Sequence, residues 1–110
     1  HRMINTAGEL VAPPSVERAL RSLDTVSDAL VVGLPDERWG QIVAAIIVPS
    51  PKGRAQASSM SADALSEALR EALAPWEKVR RIVVVDKLPT TATGKPDPLG
   101  AAELFSASER

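Results

Sequence analysis

The sequence has no cysteine and a single histidine, at position 1. Without a thiol there is neither a disulfide framework nor a thiolate metal site, and nothing conflicts with a reducing compartment, so a cytoplasmic location is expected. With so little imidazole, Cys/His catalysis, a Ser/His/Asp triad and His-rich metal sites lack their parts. An excess of one charge is missing as well: 13 Lys and Arg stand against 14 Asp and Glu, a formal net charge of −1. That balance gives no electrostatic footing on a nucleic acid backbone or an anionic membrane surface. The longest apolar run, Ile42 to Pro49, falls far short of the roughly 20 residues that span a bilayer. No charged segment followed by an apolar stretch opens the chain, which reads as soluble and unprocessed.

What remains is a chain of 110 residues, 45% hydrophobic, the size of one domain with its own core. Its abrupt start, His1-Arg2-Met3-Ile4, suggests a fragment of a longer protein, with His1 a remnant of cloning. Arg2 to Asn5 and Glu9 to Val11 are expected to form a short hairpin turning at Thr6-Ala7-Gly8, where glycine tolerates positive φ. Pro13-Pro14-Ser15 opens a helix whose apolar face is Val16, Ala19, Leu20 and Leu23, with Glu17, Arg18 and Arg21 facing water. Val26 to Leu34 and Gln41 to Val48 read as strands, apolar enough to require cover on both faces of their sheet. Pro49 to Met60 has the composition of a mobile loop. Ser61 caps a second helix with a core stripe of Leu65, Ala68, Leu69, Ala72 and Leu73, ended by Pro75. Arg81 to Asp86 is a third strand, Leu88 to Pro98 a loop, and Leu99 to Ser106 a last helix. The expected fold is α+β: a small three-stranded sheet packed by helices and preceded by a short β-hairpin.

Chemistry must fall to carboxylates or lysine. Asp36 and Glu37 adjoin in a turn, where aspartate steadies the bend and glutamate is solvated. Thr90-Thr91-Ala92-Thr93-Gly94-Lys95 fails as a P-loop, because Pro89 replaces the first glycine and Pro96 the Ser/Thr that would hold Mg²⁺. Its residues still suit an oxyanion: Gly94 permits close backbone approach, the threonines offer hydroxyls, and Lys95 supplies a compact positive charge. On this segment alone, a solvated lysine in a polar loop is the simpler reading.

Four segments in order, together spanning nearly the whole chain, change that balance. They are Met3 to Glu17 with its Ala7-Gly8-Glu9, Val31 to Gln41 with its Pro35-Asp36 and Arg38-Trp39-Gly40-Gln41, Leu73 to Val79, and Leu88 to Lys95. Together they resemble the C-terminal domain of the AMP-forming adenylating superfamily: acyl-CoA synthetases, aryl-CoA ligases and peptide-synthetase adenylation domains. The last segment is the most specific, similar to the family's L-P-x-T-x-S/T-G-K. The resemblance implies a mobile lid that rotates between two poses against a large N-terminal domain, the partner that binds ATP and a carboxylic acid. In one pose Lys95, flanked by Thr91, Thr93 and Gly94, would serve acyl-AMP formation, with Mg²⁺ held mainly by ATP and the other domain. In the second pose Ala7, Gly8 and Glu9 would line a tunnel for CoA or the phosphopantetheine of an acyl carrier protein. The likeness to aryl-CoA ligases further implies that Trp39, Trp76 and Lys78 contact the CoA nucleotide, although packing is the plainer role for either tryptophan.

The sequence departs from the pattern in places. Ala7 stands for the first glycine of G-G-E, His1 falls near the hinge, and Pro96-Asp97-Pro98 replaces the usual apolar residue and later arginine. The rivals are a surface that docks a carrier protein through basic residues such as Arg38 or Lys78, and a plain α+β interaction module with a chance loop motif.

Overall fold

The structure is a computed structural model that describes residues 3–108; Arg2 of the expected first strand and His1 at the hinge position lie outside the described residues. The chain opens with β1 (Ile4–Thr6) and β2 (Glu9–Val11), paired antiparallel with Thr6 opposite Glu9. Thr6 therefore belongs to the strand rather than the turn. The turn is the two residues Ala7 and Gly8, with φ of 52° and 87°. Positive φ at both central positions matches the twist of the flanking strands, and at Ala7 it is held against a local cost of about 1–2 kcal/mol.

Pro13–Arg21 form α1, started by prolines that fit its first turn, and Val26–Asp36 form β3. β4 (Gly40–Pro49) pairs antiparallel with β3 along its length, from Val26 opposite Pro49 to Asp36 opposite Gly40. Short helix α2 (Pro51–Ala55) and a 3₁₀ turn at Ala57–Ser59 occupy the segment expected to be a mobile loop. Its order has local causes. Ser50 Oγ accepts the Gly53 amide at 3.1 Å and donates to the Asp24 carbonyl at 2.6 Å, while Lys52 and Arg54 reach Asp24 and Asp86. Composition showed the small polar residues but not these partners, which are distant in sequence.

α3 (Ala62–Ala68), capped by Ser61 Oγ on the Ala64 amide, is shorter than its apolar stripe suggested. Leu65 and Leu69 are buried and Leu73 half-buried, whereas Ala68, the last residue of α3, and Ala72, beyond it, are exposed. A 3₁₀ turn, Pro75–Glu77, leads into β5 (Val79–Val84), which begins two residues ahead of expectation and runs parallel to β4. α4 (Pro98–Ser108) closes the described chain.

The sheet has five strands in place of three, because the hairpin joins it through Thr6 opposite Gly40. β4 is its centre: β3 lies along one edge, and β1 and β5 divide the other, β1 at Gly40 and β5 from Val43 to Ile47. The α+β class and the two covered faces follow the sequence pattern. Alternation along β4 sends Val43, Ala45 and Ile47 to a core with Ile4, Val16 and Leu20 of α1, Leu65 of α3 and Val79. Ile42, Ala44 and Ile46 face the other way, onto Leu30, Val32, Leu34, and Ala101 and Phe105 of α4. No helix among the described residues is long and apolar enough to cross a membrane.

One charged side chain departs from expectation. Glu17 is only 7% exposed, and its Oε2 accepts the Val31 amide at 2.9 Å. β3 ends the sheet, so its outward amides and carbonyls have no strand to bond; Glu17 takes one donor, and Arg21, one helical turn on, reaches the Ala29 carbonyl at 3.4 Å. Burial raises the Glu17 carboxyl above its ordinary value, while the Val31 amide and Arg21 act in the opposite sense.

Candidate functional site

The residues singled out in the sequence form two groups. The first surrounds the Gly40 end of β4. The Ala7 amide donates to the Trp39 carbonyl at 2.7 Å, and the Gly8 amide to Asn5 Oδ1 at 3.0 Å. The Asn5 amide in turn donates to Gln41 Oε1 at 2.8 Å. Gly40, with φ of 82°, lets the chain enter β4 directly opposite Thr6. The turn before it is set by Asp36, whose Oδ2 accepts the Arg38 and Trp39 amides at 3.0 and 2.8 Å, while Glu37 is exposed. That is the bend-stabilising role expected of Asp36.

Trp39 is half-buried, packing against the core beneath α4. The guanidinium carbon of Arg80 lies 4.5 Å from its ring centroid and that of Arg38 5.4 Å. Two cations thus gather at one indole, an arrangement favoured by the ring's negative face. Sequence reasoning missed Arg80. Val43 pairs with Val79 but Ala44 with Arg81, so Arg80 falls at an irregularity in the register, where strand alternation does not place a side chain.

Trp76 sits in the 3₁₀ turn, 45% exposed, with the turn fixed by the Ala74 amide donating to Glu77 Oε1 at 2.8 Å. This turn lies beside β2 (Glu9–Val11). Exposed Lys78 also borders an open groove of about 580 Å³ with Asp63, Glu67, Arg70 and Leu73 along it. Ala7, Gly8 and Glu9 are all exposed. The packing role anticipated for the tryptophans holds in part for Trp39, whereas Trp76 leaves nearly half its surface open.

The second group is the Lys95 loop. It leaves β5 at the opposite end, where Val84 pairs with Ile47 near the far end of β4. The loop is a small closed hairpin: Thr90 bridges Pro96, the Thr91 amide donates to the Lys95 carbonyl at 2.7 Å, and the Gly94 amide returns to the Thr91 carbonyl at 2.9 Å. Gly94 takes φ of 86°, and the Thr91 and Thr93 hydroxyls are 3.0 Å apart. All residues from 90 to 96 are exposed, and Lys95 has no ion-pair partner among the described residues. Its ammonium therefore faces outward from a backbone held by several hydrogen bonds. Among the described residues, no group of three or more His, Asp or Glu side chains gathers to hold a metal ion.

The chain is similar to known proteins in sequence and in fold. A sequence model of the AMP-binding enzyme C-terminal domain matches residues 15–95. The chain is 39% identical over 104 residues to a medium/long-chain-fatty-acid and 3-oxocholest-4-en-26-oate CoA ligase of Mycobacterium marinum, covering 94% of this chain and 18% of that protein. It is 42% identical over 93 residues to 4-chlorobenzoate CoA ligase of a Pseudomonas species, covering 84% and 17%. Among solved structures, a Mycobacterium tuberculosis fatty acyl CoA synthetase superposes with a TM-score of 0.81 at 31% identity, over 96% of this chain and 20% of that one. The Bacillus subtilis o-succinylbenzoate CoA synthetase, solved with its acyl-adenylate intermediate, gives 0.75 at 30% identity, over 88% and 19%. The chain spans about a fifth of the length of the proteins it matches. The match over most of its length makes it a member of the AMP-binding enzyme C-terminal domain family.

Proposed function

We propose that residues 1–110 are the C-terminal lid of a longer ATP-dependent acid–thiol ligase and that Lys95 acts in its adenylation step. The observation that carries this reading is the family match, which runs to Lys95 itself, together with the exposure of that lysine on a closed loop. The partner would be a large N-terminal domain that holds ATP and a carboxylic acid, and Mg²⁺ would ride on the ATP phosphates and that domain.

In the first half-reaction a carboxylate oxygen forms a bond to the α-phosphorus of ATP, the bond from that phosphorus to the bridging oxygen breaks, and pyrophosphate leaves with the electron pair. Two anions must approach each other. An ammonium delivered between them, in a site shielded from water, offsets that repulsion most where negative charge builds at phosphorus. Lys95 would thus be an electrostatic stabiliser and positioner, with Thr91, Thr93 and Gly94 shaping the approach. In the second half-reaction a thiol sulfur bonds to the acyl carbon, AMP departs with the broken bond's electrons, and the thiol proton goes to solvent. The Ala7-Gly8-Glu9 turn would line the path of the thiol arm, and Trp39, Trp76 and Lys78 would meet the nucleotide of CoA. The named relatives are CoA ligases, which supports CoA over the phosphopantetheine of a carrier protein.

The test is ATP–pyrophosphate exchange by the full-length protein over fatty, aryl and amino acids, followed by comparison of CoA with carrier protein as acceptor. Lys95→Ala is expected to lower the exchange kcat by about 10²–10³-fold, as removal of one preorganised charge-stabilising donor does. Exchange within a factor of two of wild type would remove Lys95 from the reaction.

A further inference from the structure

We infer that Asp97 is a positioning residue for Lys95, fastening the loop that carries it to α4, whose inner face is anchored in the core. This rests on the adenylation role proposed for Lys95. Three bonds converge on Asp97. Its amide donates to the Pro89 carbonyl at 3.0 Å, closing the base of the loop just outside the Thr90–Pro96 bridge. Its carbonyl accepts the Ala101 amide at 2.9 Å, the first turn of the helix, and its Oδ1 accepts the Gly100 amide at 3.1 Å. Asp97 is thus the residue that caps α4: its side chain takes up an amide that the helix cannot satisfy internally, and its negative charge sits at the positive end of the peptide dipoles.

The neighbouring residues agree with this arrangement. Pro98 follows as the first helical residue, where its missing amide costs nothing. A Cβ on Gly100 would lie 2.5 Å from Asp97 Oδ2, so glycine at that position leaves the carboxylate its place. Beyond the cap, Ala101 and Phe105 are 0% and 1% exposed in the core under β3 and β5. The path from that core to the ammonium is therefore short: helix, cap, loop base, then Lys95 only two residues from Asp97. None of residues 90–96 is buried, so the loop's placement relative to the sheet depends on its two ends, Leu88 packed against that core and Asp97 at the cap.

The distinguishing experiment uses the full-length enzyme and reads both half-reactions. Asp97→Ala is expected to lower the exchange kcat about tenfold with little change in KM for ATP or acid, because the loop's placement loosens while the binding pockets lie elsewhere. Thioester formation from supplied acyl-adenylate should stay within about twofold, since another surface would serve that step. Asp97→Asn, an equally good cap, should restore most of the exchange activity. Equal loss in both half-reactions, or an asparagine variant as impaired as the alanine one, would overturn the positioning role. Lys95→Ala assayed alongside separates the two readings. Exchange lost there but retained in Asp97→Ala sinks only the positioning role, whereas exchange retained in Lys95→Ala sinks the adenylation role beneath it.

Discussion

Gln41 lies across Gly33: a Cβ at Gly33 would stand 2.7 Å from Gln41 Nε2, and the same side chain accepts the Asn5 amide through Oε1 at 2.8 Å. The bare backbone at Gly33 gives the glutamine room to tie the hairpin to the centre of the sheet. Gly33→Ala is expected to displace it and to cost about 1–3 kcal/mol in urea unfolding, the range of overpacked sites. In the full-length enzyme, thioester formation should fall more than pyrophosphate exchange. An unchanged urea midpoint would show that the glutamine has another place to go.

Trp39 offers a sharper division between the two steps. If its indole stacks on the CoA nucleotide, Trp39→Ala should raise the KM for CoA about tenfold, in line with one lost stacking contact, and change exchange by less than about twofold. Trp39→Phe should keep most of the affinity, which separates stacking from the half-buried ring's share in the core. A CoA KM equal to wild type in the alanine variant would eliminate the contact.

The buried carboxyl of Glu17 makes stability depend on pH in an unusual direction for an acidic residue. Its folded pKa is raised by burial, so the folded chain holds a proton that the unfolded chain gives up from about pH 4.5 upward. The contribution is present below that value and is lost as pH rises through the raised folded one. Glu17→Gln keeps an acceptor for the Val31 amide and cannot ionise. Its urea midpoint should therefore gain on wild type as pH rises above about 4.5; a constant difference would show that the carboxyl does not titrate differently on folding.

Gly53 is closely enclosed. A Cβ there would collide with the Thr25 carbonyl oxygen and stand 3.1 Å from the Pro49 ring, and the former is backbone that cannot rotate aside. Gly53→Ala should destabilise the domain by about 3 kcal/mol despite lying in a five-residue surface helix. A thermal midpoint within a degree or two of wild type would mean that the α2 segment shifts without strain.

These cases mark what the linear pattern carries. β3, β4 and both core faces were legible because an alternating or continuous apolar run is itself the cause of burial, and α1 because proline and a 3.6-residue period coincide. The hairpin's attachment to the sheet was not legible, since Gln41 and Gly33 act across 36 and 29 residues from Asn5 and Ile4, their partners at β1. Glu17 was misplaced for a related reason: nothing in a helical wheel reveals that a sheet edge will lie opposite one polar position. At the candidate site, the Lys95 motif was visible as residue types in order, whereas its closed shape depends on backbone bonds such as Thr91 to Lys95. Arg80 was hidden because its meaning lies in the ring it meets and not in its neighbours along the chain.

The pairing of Glu17 and Arg21 with the outer side of β3 also bears on how copies of this molecule meet. A bare terminal strand invites a second chain to dock by strand addition, the first step of many ordered aggregates. Here one carboxylate and one guanidinium, a helical turn apart, occupy backbone groups that such an intruder would need. Removing both would leave β3 as a template for self-association, even with the interior of the domain untouched.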